Sequence, residues 1–297
     1  MKKSKSLTAT LALVSLCAGL CAGLPAAAQD DGIPVTRMSR LRGLGGDARQ
    51  FDQQSKLQYD QMLAQAHQKD AVATERNPQL IRLRAIAQRL IPFTTRWNPD
   101  SANWKWEVNL LNSPTVNAFC MPGGRIAFYN GILTKLNLTD DEVAMVMGHE
   151  IAHALREHAR EQAGKNAITS VGARIFGAIG SAYFGVDPRL GDAAAGAVAQ
   201  GAALSFSRDD ESEADLVGLD LAARAGFDPR AGIALWQKMG AVNKSQPLPF
   251  LSTHPSGSKR IDDMDKNMYL VLPVFARARG LDPNNLPPYR SLALPKS

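Results

Sequence analysis

The order of hydrophobic and polar positions changes along the chain, and each pattern predicts a different element. Leucine and isoleucine side chains recur three or four residues apart within 78–90, which predicts a helix, and a further helix is expected over 56–71. Residues 104–110 alternate apolar and polar side chains, as a half-buried strand does. Two further short strands are expected at 116–121 and 125–129, around a Pro-Gly-Gly turn.

Thr139 and Glu142 are spaced as a capping box, so they predict the start of a long helix that reaches about Ala163. Further helices are expected near the C-terminal end, over 207–225, 229–239 and 259–269, with a loop at 243–257. Because helices dominate and the strands are few and short, the sequence predicts an α+β fold with a small β-sheet.

Other parts of the chain have compositions that suggest their roles. Small residues recur four apart in the glycine- and alanine-rich stretch 164–204, which predicts buried helices or a mobile lid. Residues 29–58 are polar and glycine-dotted, and we expect a flexible lead-in there. A proline-rich tail is expected at 276–297, so 59–275 would form one domain.

The first 28 residues have the layout of a secretory signal peptide. Three lysines precede an apolar run at 7–20, and a proline then leads into the small-residue cleavage signal at 26–28. Cleavage there would leave Gln29 as the mature N-terminus. The sequence therefore predicts export to the periplasm, with no membrane span left after cleavage.

The cysteines and the net charge refine this interpretation. Cys17 and Cys21 would suit a lipoprotein, but each follows a leucine where processing requires a small residue; an uncleaved anchor would need a longer apolar run. Cleavage leaves Cys120 alone, so no intrachain disulfide is expected. Loss of three lysines leaves 31 basic and 28 acidic residues, a charge of +3, which gives no reason to expect nucleic acid as a partner.

Residues 143–155 form an apolar segment whose only polar side chains are His149, Glu150 and His153. Two imidazoles four residues apart lie on one helix face, about 6 Å apart along its axis, and can bind one zinc ion. Glu150 adjoins the first of them, where its carboxylate can take a proton from a zinc-activated water. This H-E-x-x-H pattern is typical of zinc proteases. His158, among charged neighbours, is expected at the surface.

A catalytic zinc ion requires a third protein ligand, and an acidic cluster downstream can supply it. Glu211 and Asp215 share a helix face, so Glu211 could bind the metal while Asp215 orients a histidine. On spacing alone, Asp209, Asp210 and Glu213 remain alternative candidates for this ligand. Acidic residues in a first helical turn also stabilise the helix dipole without any further function.

Four ordered motifs together resemble the M48 family of metallopeptidases, and its periplasmic members in particular. The resemblance lies in G-H-E-I-A-H, S-R-D-D-E-S-E-A-D, N-A-F-C-M-P-G-G at 117–124, and T-H-P at 253–255 followed by Arg260-Ile261. It extends over roughly 80–264, most of the chain that follows the leader. No tetratricopeptide repeats follow the motifs, and the many membrane spans of some members are absent.

The resemblance implies a zincin-like fold, one Zn²⁺ per chain and specific residue roles. Glu211 would be the third ligand and Asp215 would orient a histidine. His254 and Arg260 would contact the scissile carbonyl or its tetrahedral intermediate. His254 could instead cap the zinc and hold the enzyme latent.

The resemblance also implies how substrate binds and what it is. Asn117, Ala118 and Phe119 would begin an edge strand to which an extended substrate adds. The expected activity is a zinc-dependent metalloendopeptidase of the cell envelope that degrades misfolded or misassembled proteins, with envelope assembly machinery as a partner. The alternatives are a chaperone or assembly factor with a zinc site and no proteolysis, and a peptidoglycan hydrolase.

Overall fold

A computed structural model describes residues 31–168, 206–244, 247–255 and 257–295. The α-helices in these ranges are α1 (Ala48–Gln68), α2 (Pro78–Leu90), α3 (Asn130–Lys135), α4 (Asp140–Leu155), α5 (His158–Ile168), α6 (Arg208–Arg224), α7 (Ala231–Asn243), α8 (Pro249–Thr253) and α9 (Ser258–Arg279). The strands are β1 (Glu107–Leu111), β2 (Ala118–Met121) and β3 (Arg125–Tyr129). Short 3-10 helices occupy Arg40–Gly45, Ile91–Arg96 and Pro99–Asn103. The predicted helix-dominated α+β class is confirmed.

The three strands form one sheet in the order β1-β3-β2, so β2 lies at an edge among the described strands. β1 pairs with β3 in parallel, and β2 pairs with β3 antiparallel. The tight turn between β2 and β3 uses Gly123 and Gly124, whose φ values of 81° and 84° are readily adopted only by glycine.

α4 lies in the middle of the core, and every residue from Glu142 to Leu155 is buried. The predicted capping box at its start is present, since the Thr139 side chain accepts from the Glu142 N–H and Glu142 accepts from the Thr139 N–H. α4 crosses α6 where two glycines meet. A Cβ added at Gly148 would lie 3.2 Å from the Gly218 carbonyl oxygen, so the two backbones are in close contact.

The predicted continuation of this helix to Ala163 is wrong. α4 ends at Leu155, whose carbonyl accepts a hydrogen bond from the Asn98 side chain at 3.0 Å. Glu157 then adopts the left-handed conformation, with φ 57°, and α5 starts in a new direction at His158. No glycine or proline marks this turn, so the sequence carried no stop signal.

The two ends of the described chain are more structured than predicted. α1 begins at Ala48, capped by Asp47, inside the segment expected to be a flexible lead-in. At the other end α9 continues past residue 269 and through Pro273 to Arg279. Most of 164–204 lies outside the described residues. Within the described residues, no helix combines the length and the apolar character needed to cross a membrane.

Candidate metal centre

Side chains from two helices and one loop converge at the middle of α4. His149 and His153 come from α4 and Glu211 from the first turn of α6, and His254 follows α8. One donor atom of each lies within 4.8 Å of all the others. His149 Nε2 lies 3.1 Å from His153 Nε2 and 3.5 Å from Glu211 Oε2, and His153 Nε2 lies 3.4 Å from Glu211 Oε1. Tetrahedral zinc ligands with bonds of about 2.0–2.1 Å are about 3.3–3.4 Å apart, so these atoms can share one ion.

His254 supplies a fourth donor to this cluster. Its Nδ1 lies 3.3 Å from His149 Nε2 and 2.9 Å from Glu211 Oε1. Its other nitrogen, Nε2, lies 3.5 Å from Glu150 Oε1. The imidazole therefore stands between the metal donors and the carboxylate of Glu150. In this conformation the protein offers four donors, which is one more than a catalytic zinc site with an open position requires.

The electrostatics of the cluster suit a divalent cation. Burial lowers the pKa of both His149 and His153, so both imidazoles are neutral and can donate a lone pair. Burial alone would raise the pKa of Glu211, but the neighbouring His254 and His153 outweigh it and hold that pKa well below its usual value. Glu211 Oε2 is buried and lies against the Arg260 guanidinium, so the carboxylate is paired with one cation of the protein itself. The carboxylate is therefore charged and held in place, as a metal ligand must be.

Two residues behind the donors hold them in place. His149 Nδ1 lies 3.0 Å from Asp215 Oδ1, so Asp215 fixes the orientation of that ring. Arg260 grips Asp215 with two hydrogen bonds of 2.6 and 2.7 Å, and its Nη1 lies 2.5 Å from Glu211 Oε2. The guanidinium also stacks on Trp236 at 3.8 Å. The structure thus places Arg260 against carboxylates, and its contact with a substrate carbonyl stays a prediction.

The prediction that His158 lies at the surface is wrong. Its exposed fraction is 1%. Its Nδ1 lies 2.9 Å from His153 Nδ1 and its Nε2 lies 2.9 Å from Glu213 Oε2. Its charged neighbours suggested the surface, and an uninterrupted helix would also place a residue five positions after His153 on another face. The turn at Glu157 returns the His158 side chain to hydrogen-bonding distance of His153.

The segment predicted to receive substrate lies beside α4. Ala118 and Phe119 belong to the edge strand β2, and Asn117 precedes it and accepts a hydrogen bond from the Tyr129 N–H. All three are buried, with exposed fractions of 1% to 3%. Cys120 of the same strand is also buried. In this conformation the strand edge is not open to solvent.

A cleft of about 620 Å³ reaches His153 from the solvent side. It lies between the start of α1, the 3-10 helix Pro99–Asn103, the Pro122–Gly123 turn and the start of α5. Its lining includes the aromatic side chains of Phe51 and Trp104. The cleft has the volume of a small-ligand pocket, and of the four donor residues His153 alone contributes to its lining.

Comparison with known proteins identifies the family. Residues 79–268 match the model described as peptidase family M48. The chain is 32% identical over 244 residues to the mitochondrial metalloendopeptidase OMA1 of Bos taurus, covering 78% of this chain and 45% of that protein. It is 39% identical over 155 residues to the mitochondrial metalloendopeptidase OMA1 of Arabidopsis thaliana, covering 52% and 30%.

A bacterial relative has a different name. The chain is 32% identical over 179 residues to the beta-barrel assembly-enhancing protease of Escherichia coli O157:H7, covering 57% of this chain and 36% of that protein. The chain spans less than half the length of each of these three relatives. The family match nevertheless takes in more than half of the chain and all four donor residues. The chain therefore belongs to peptidase family M48.

Proposed function

We propose that the protein is a zinc-dependent metalloendopeptidase that cleaves unfolded or misassembled proteins. The observation that carries the proposal is the convergence of His149, His153 and Glu211 at zinc-ligand spacing, with Glu150 next to the first histidine. Glu150 is 2% exposed and its Oε1 accepts no hydrogen bond. A buried carboxylate oxygen without a hydrogen bond is costly, and a catalytic role explains its presence beside the donors.

The residues divide the work of hydrolysis between them. When bound, zinc supplies Lewis acidity, which lowers the pKa of water to about 7 and polarises a carbonyl. Glu150 takes the proton from the attacking water and delivers it to the leaving amine. Burial, together with the Glu211 charge, raises the pKa of Glu150 to about 8, and a nearby cation would lower it again. Asp215 and Arg260 keep His149 and Glu211 aligned.

One feature favours a second function. With His254 counted, four protein donors surround the centre, as in a structural zinc site. A chaperone or assembly factor that holds zinc without proteolysis would have such a set. The proposed protease explains the same set if His254 moves away to open the fourth position. Glu150 favours the protease, since a structural site has no use for a general base.

The deciding experiment measures casein cleavage and bound zinc in the purified protein and in Glu150→Gln. General base catalysis contributes typically 10²–10⁴-fold, so we expect a rate loss of that order with one zinc ion still bound. A chelator should abolish cleavage by the parent protein. Glu75→Gln, at an exposed glutamate, is the matched control and should change neither quantity. Normal cleavage by Glu150→Gln would refute the mechanism. A parent protein that binds zinc but cleaves no casein would support the alternative function as a chaperone or assembly factor.

We further propose that the protein works in the periplasm after loss of its leader, near the machinery that assembles envelope proteins. The name of the bacterial relative supports this setting, although the OMA1 relatives are mitochondrial. Cell fractionation with N-terminal sequencing tests it. We expect a periplasmic protein that begins at Gln29. A lipid-modified Cys17 or Cys21 would contradict it.

A further inference from the structure

A row of hydrogen bonds runs from the metal centre through His158 to the far side of α6. His153 presents Nε2 to the other donors and Nδ1 to His158 Nδ1, at 2.9 Å. His158 in turn presents Nε2 to Glu213 Oε2, at 2.9 Å. The two imidazoles are almost fully buried, with exposed fractions of 1% each. Because solvent hardly reaches these rings, water cannot readily replace the contact between the two histidines or the contact of His158 with Glu213.

A bound metal would fix the tautomers along this row. A ligating nitrogen must keep its lone pair, so a metal on Nε2 would leave the proton of His153 on Nδ1. That N–H could only donate, so His158 Nδ1 would accept. His158 would then carry its own proton on Nε2 and donate it to the Glu213 carboxylate. Each of the three groups has one orientation that satisfies its neighbours.

Glu213 is itself fixed from several sides. Its Oε1 accepts hydrogen bonds of 2.7 Å from Arg156 Nη2 and from Thr36 Oγ1. Burial alone would raise its pKa, but these hydrogen bonds and the one from His158 outweigh it and lower the pKa to about 2. The acceptor at the end of the row is thus a fully ionised carboxylate at neutral pH.

The backbone is shaped to allow this contact. Glu157 adopts φ 57°, a left-handed conformation that is uncommon for a residue other than glycine. The turn at Glu157 ends α4 and brings His158 Nδ1 to 2.9 Å from His153 Nδ1. Arg156, which anchors Glu213, belongs to the same turn. The sequence therefore uses an unfavourable local conformation to hold both residues.

We propose that His158 and Glu213 are positioning residues that fix the orientation and tautomer of the metal ligand His153. The proposal rests on the proposed function, since it takes His153 as a ligand. Asp215 does the same for His149 directly, whereas the distance from His153 to Glu213 is spanned by a second imidazole. Neither His158 nor Glu213 would touch substrate.

The test measures zinc affinity by chelator competition, in the Glu150→Gln background to prevent self-cleavage. Loss of a residue that orients a metal ligand costs typically 10–100-fold in affinity, and we expect His158→Leu to weaken zinc binding by that factor. His158→Asn should recover part of the loss, because its amide oxygen can accept from His153. The absorption spectrum of the Co²⁺-loaded protein should change in His158→Leu. His67→Leu, at an exposed histidine, is the matched control.

Glu213→Ala provides a second variant at a side chain that is 31% exposed, in case His158→Leu does not fold. It should also weaken zinc binding and alter the Co²⁺ spectrum. Parent-level affinity with an unchanged spectrum in either folded variant would overturn the proposal. Equal loss in His158→Leu and His158→Asn would also overturn it, since a mere packing role predicts no rescue. Because zinc affinity is read without turnover, these outcomes are independent of whether the protein cleaves casein.

Discussion

His254 joins the two halves of the site, because its two ring nitrogens face different groups. Nδ1 lies among the metal donors and Nε2 faces Glu150. The ring is also stacked on Phe250, with centroids 4.5 Å apart. On the proposed function, an imidazole held in this way would occupy the place that an attacking water needs. It would compete with catalysis until it moved.

Replacing His254 by alanine should therefore have two opposite effects. Zinc binding should weaken, since one donor of four is lost, while basal casein cleavage should rise several-fold because the fourth position opens. Chelator competition and initial rates measure the two effects, and Phe250→Leu controls for the lost stacking. Reduced cleavage with unchanged zinc affinity would show instead that His254 supports the transition state.

At the scale of single residues, the H-E-x-x-H residues were easier to predict from the sequence than the residues that surround them. His149, Glu150 and His153 stand out because they are the only polar residues in the apolar segment 143–155. Glu211 could not be separated from its acidic neighbours by spacing, and only the resemblance singled it out. His158 was missed because its position depends on a turn with no sequence signal.

Among the elements, the crossing of α4 and α6 has the greatest effect on the site. α4 carries two donors and α6 carries the third, so their separation sets the size of the metal cage. A Cβ at Gly148 would meet the Gly218 backbone at 3.2 Å, and a Cβ at Gly218 would meet the His149 backbone nitrogen at 3.0 Å. Backbone atoms cannot rotate out of the way as side chains can.

Gly148→Val should push the two helices apart and lower both thermal stability and zinc affinity. Overpacking of this kind costs typically 1–3 kcal/mol. Gly240→Val, at a helical glycine with open space around it, is the control and should affect zinc affinity little. Thermal unfolding and chelator competition measure the outcome. A Gly148→Val protein with parent affinity would show that the cage does not depend on this contact.

Element boundaries were predicted well where local signals are strong. α2 has the predicted bounds 78–90 and β3 the predicted bounds 125–129, and α6 begins one residue after the predicted start at 207. The ends of α4 and α9 were placed wrongly. α4 stops because Asn98, distant in sequence, takes its last carbonyl, and α9 continues past residue 269 because its later turns are buried against the core. Both causes are tertiary contacts.

At the scale of the whole molecule, one buried carboxylate connects three distant segments. Glu142, at the start of α4, is fully buried and lies 2.7 Å from Lys238 Nζ of α7. It also accepts a hydrogen bond from Ser291 Oγ at 2.5 Å. Tyr289 of the same tail hydrogen-bonds to Thr139 at 2.9 Å. The tail predicted at 276–297 is thus attached to the N-terminus of the helix that carries the metal donors.

Lys238→Met should destabilise the fold by about 3–5 kcal/mol, because it leaves the Glu142 charge buried without its cation. Adding Glu142→Gln should restore part of this loss, since the remaining group is neutral. Urea denaturation of the single and double variants measures both free energies. Equal stability of Lys238→Met and the parent protein would show that Ser291 and the cap alone satisfy the carboxylate.

The turn at Arg156 and Glu157 makes the number of residues between two histidines as important as their identity. One residue advances a helix by about 100°, so deleting or inserting a single residue here would rotate α5 and carry His158 away from His153. A substitution at either turn position leaves that count intact. The number of residues between His153 and His158 therefore determines whether the two rings meet. A sequence motif for this centre should include that spacing as well as the two histidines.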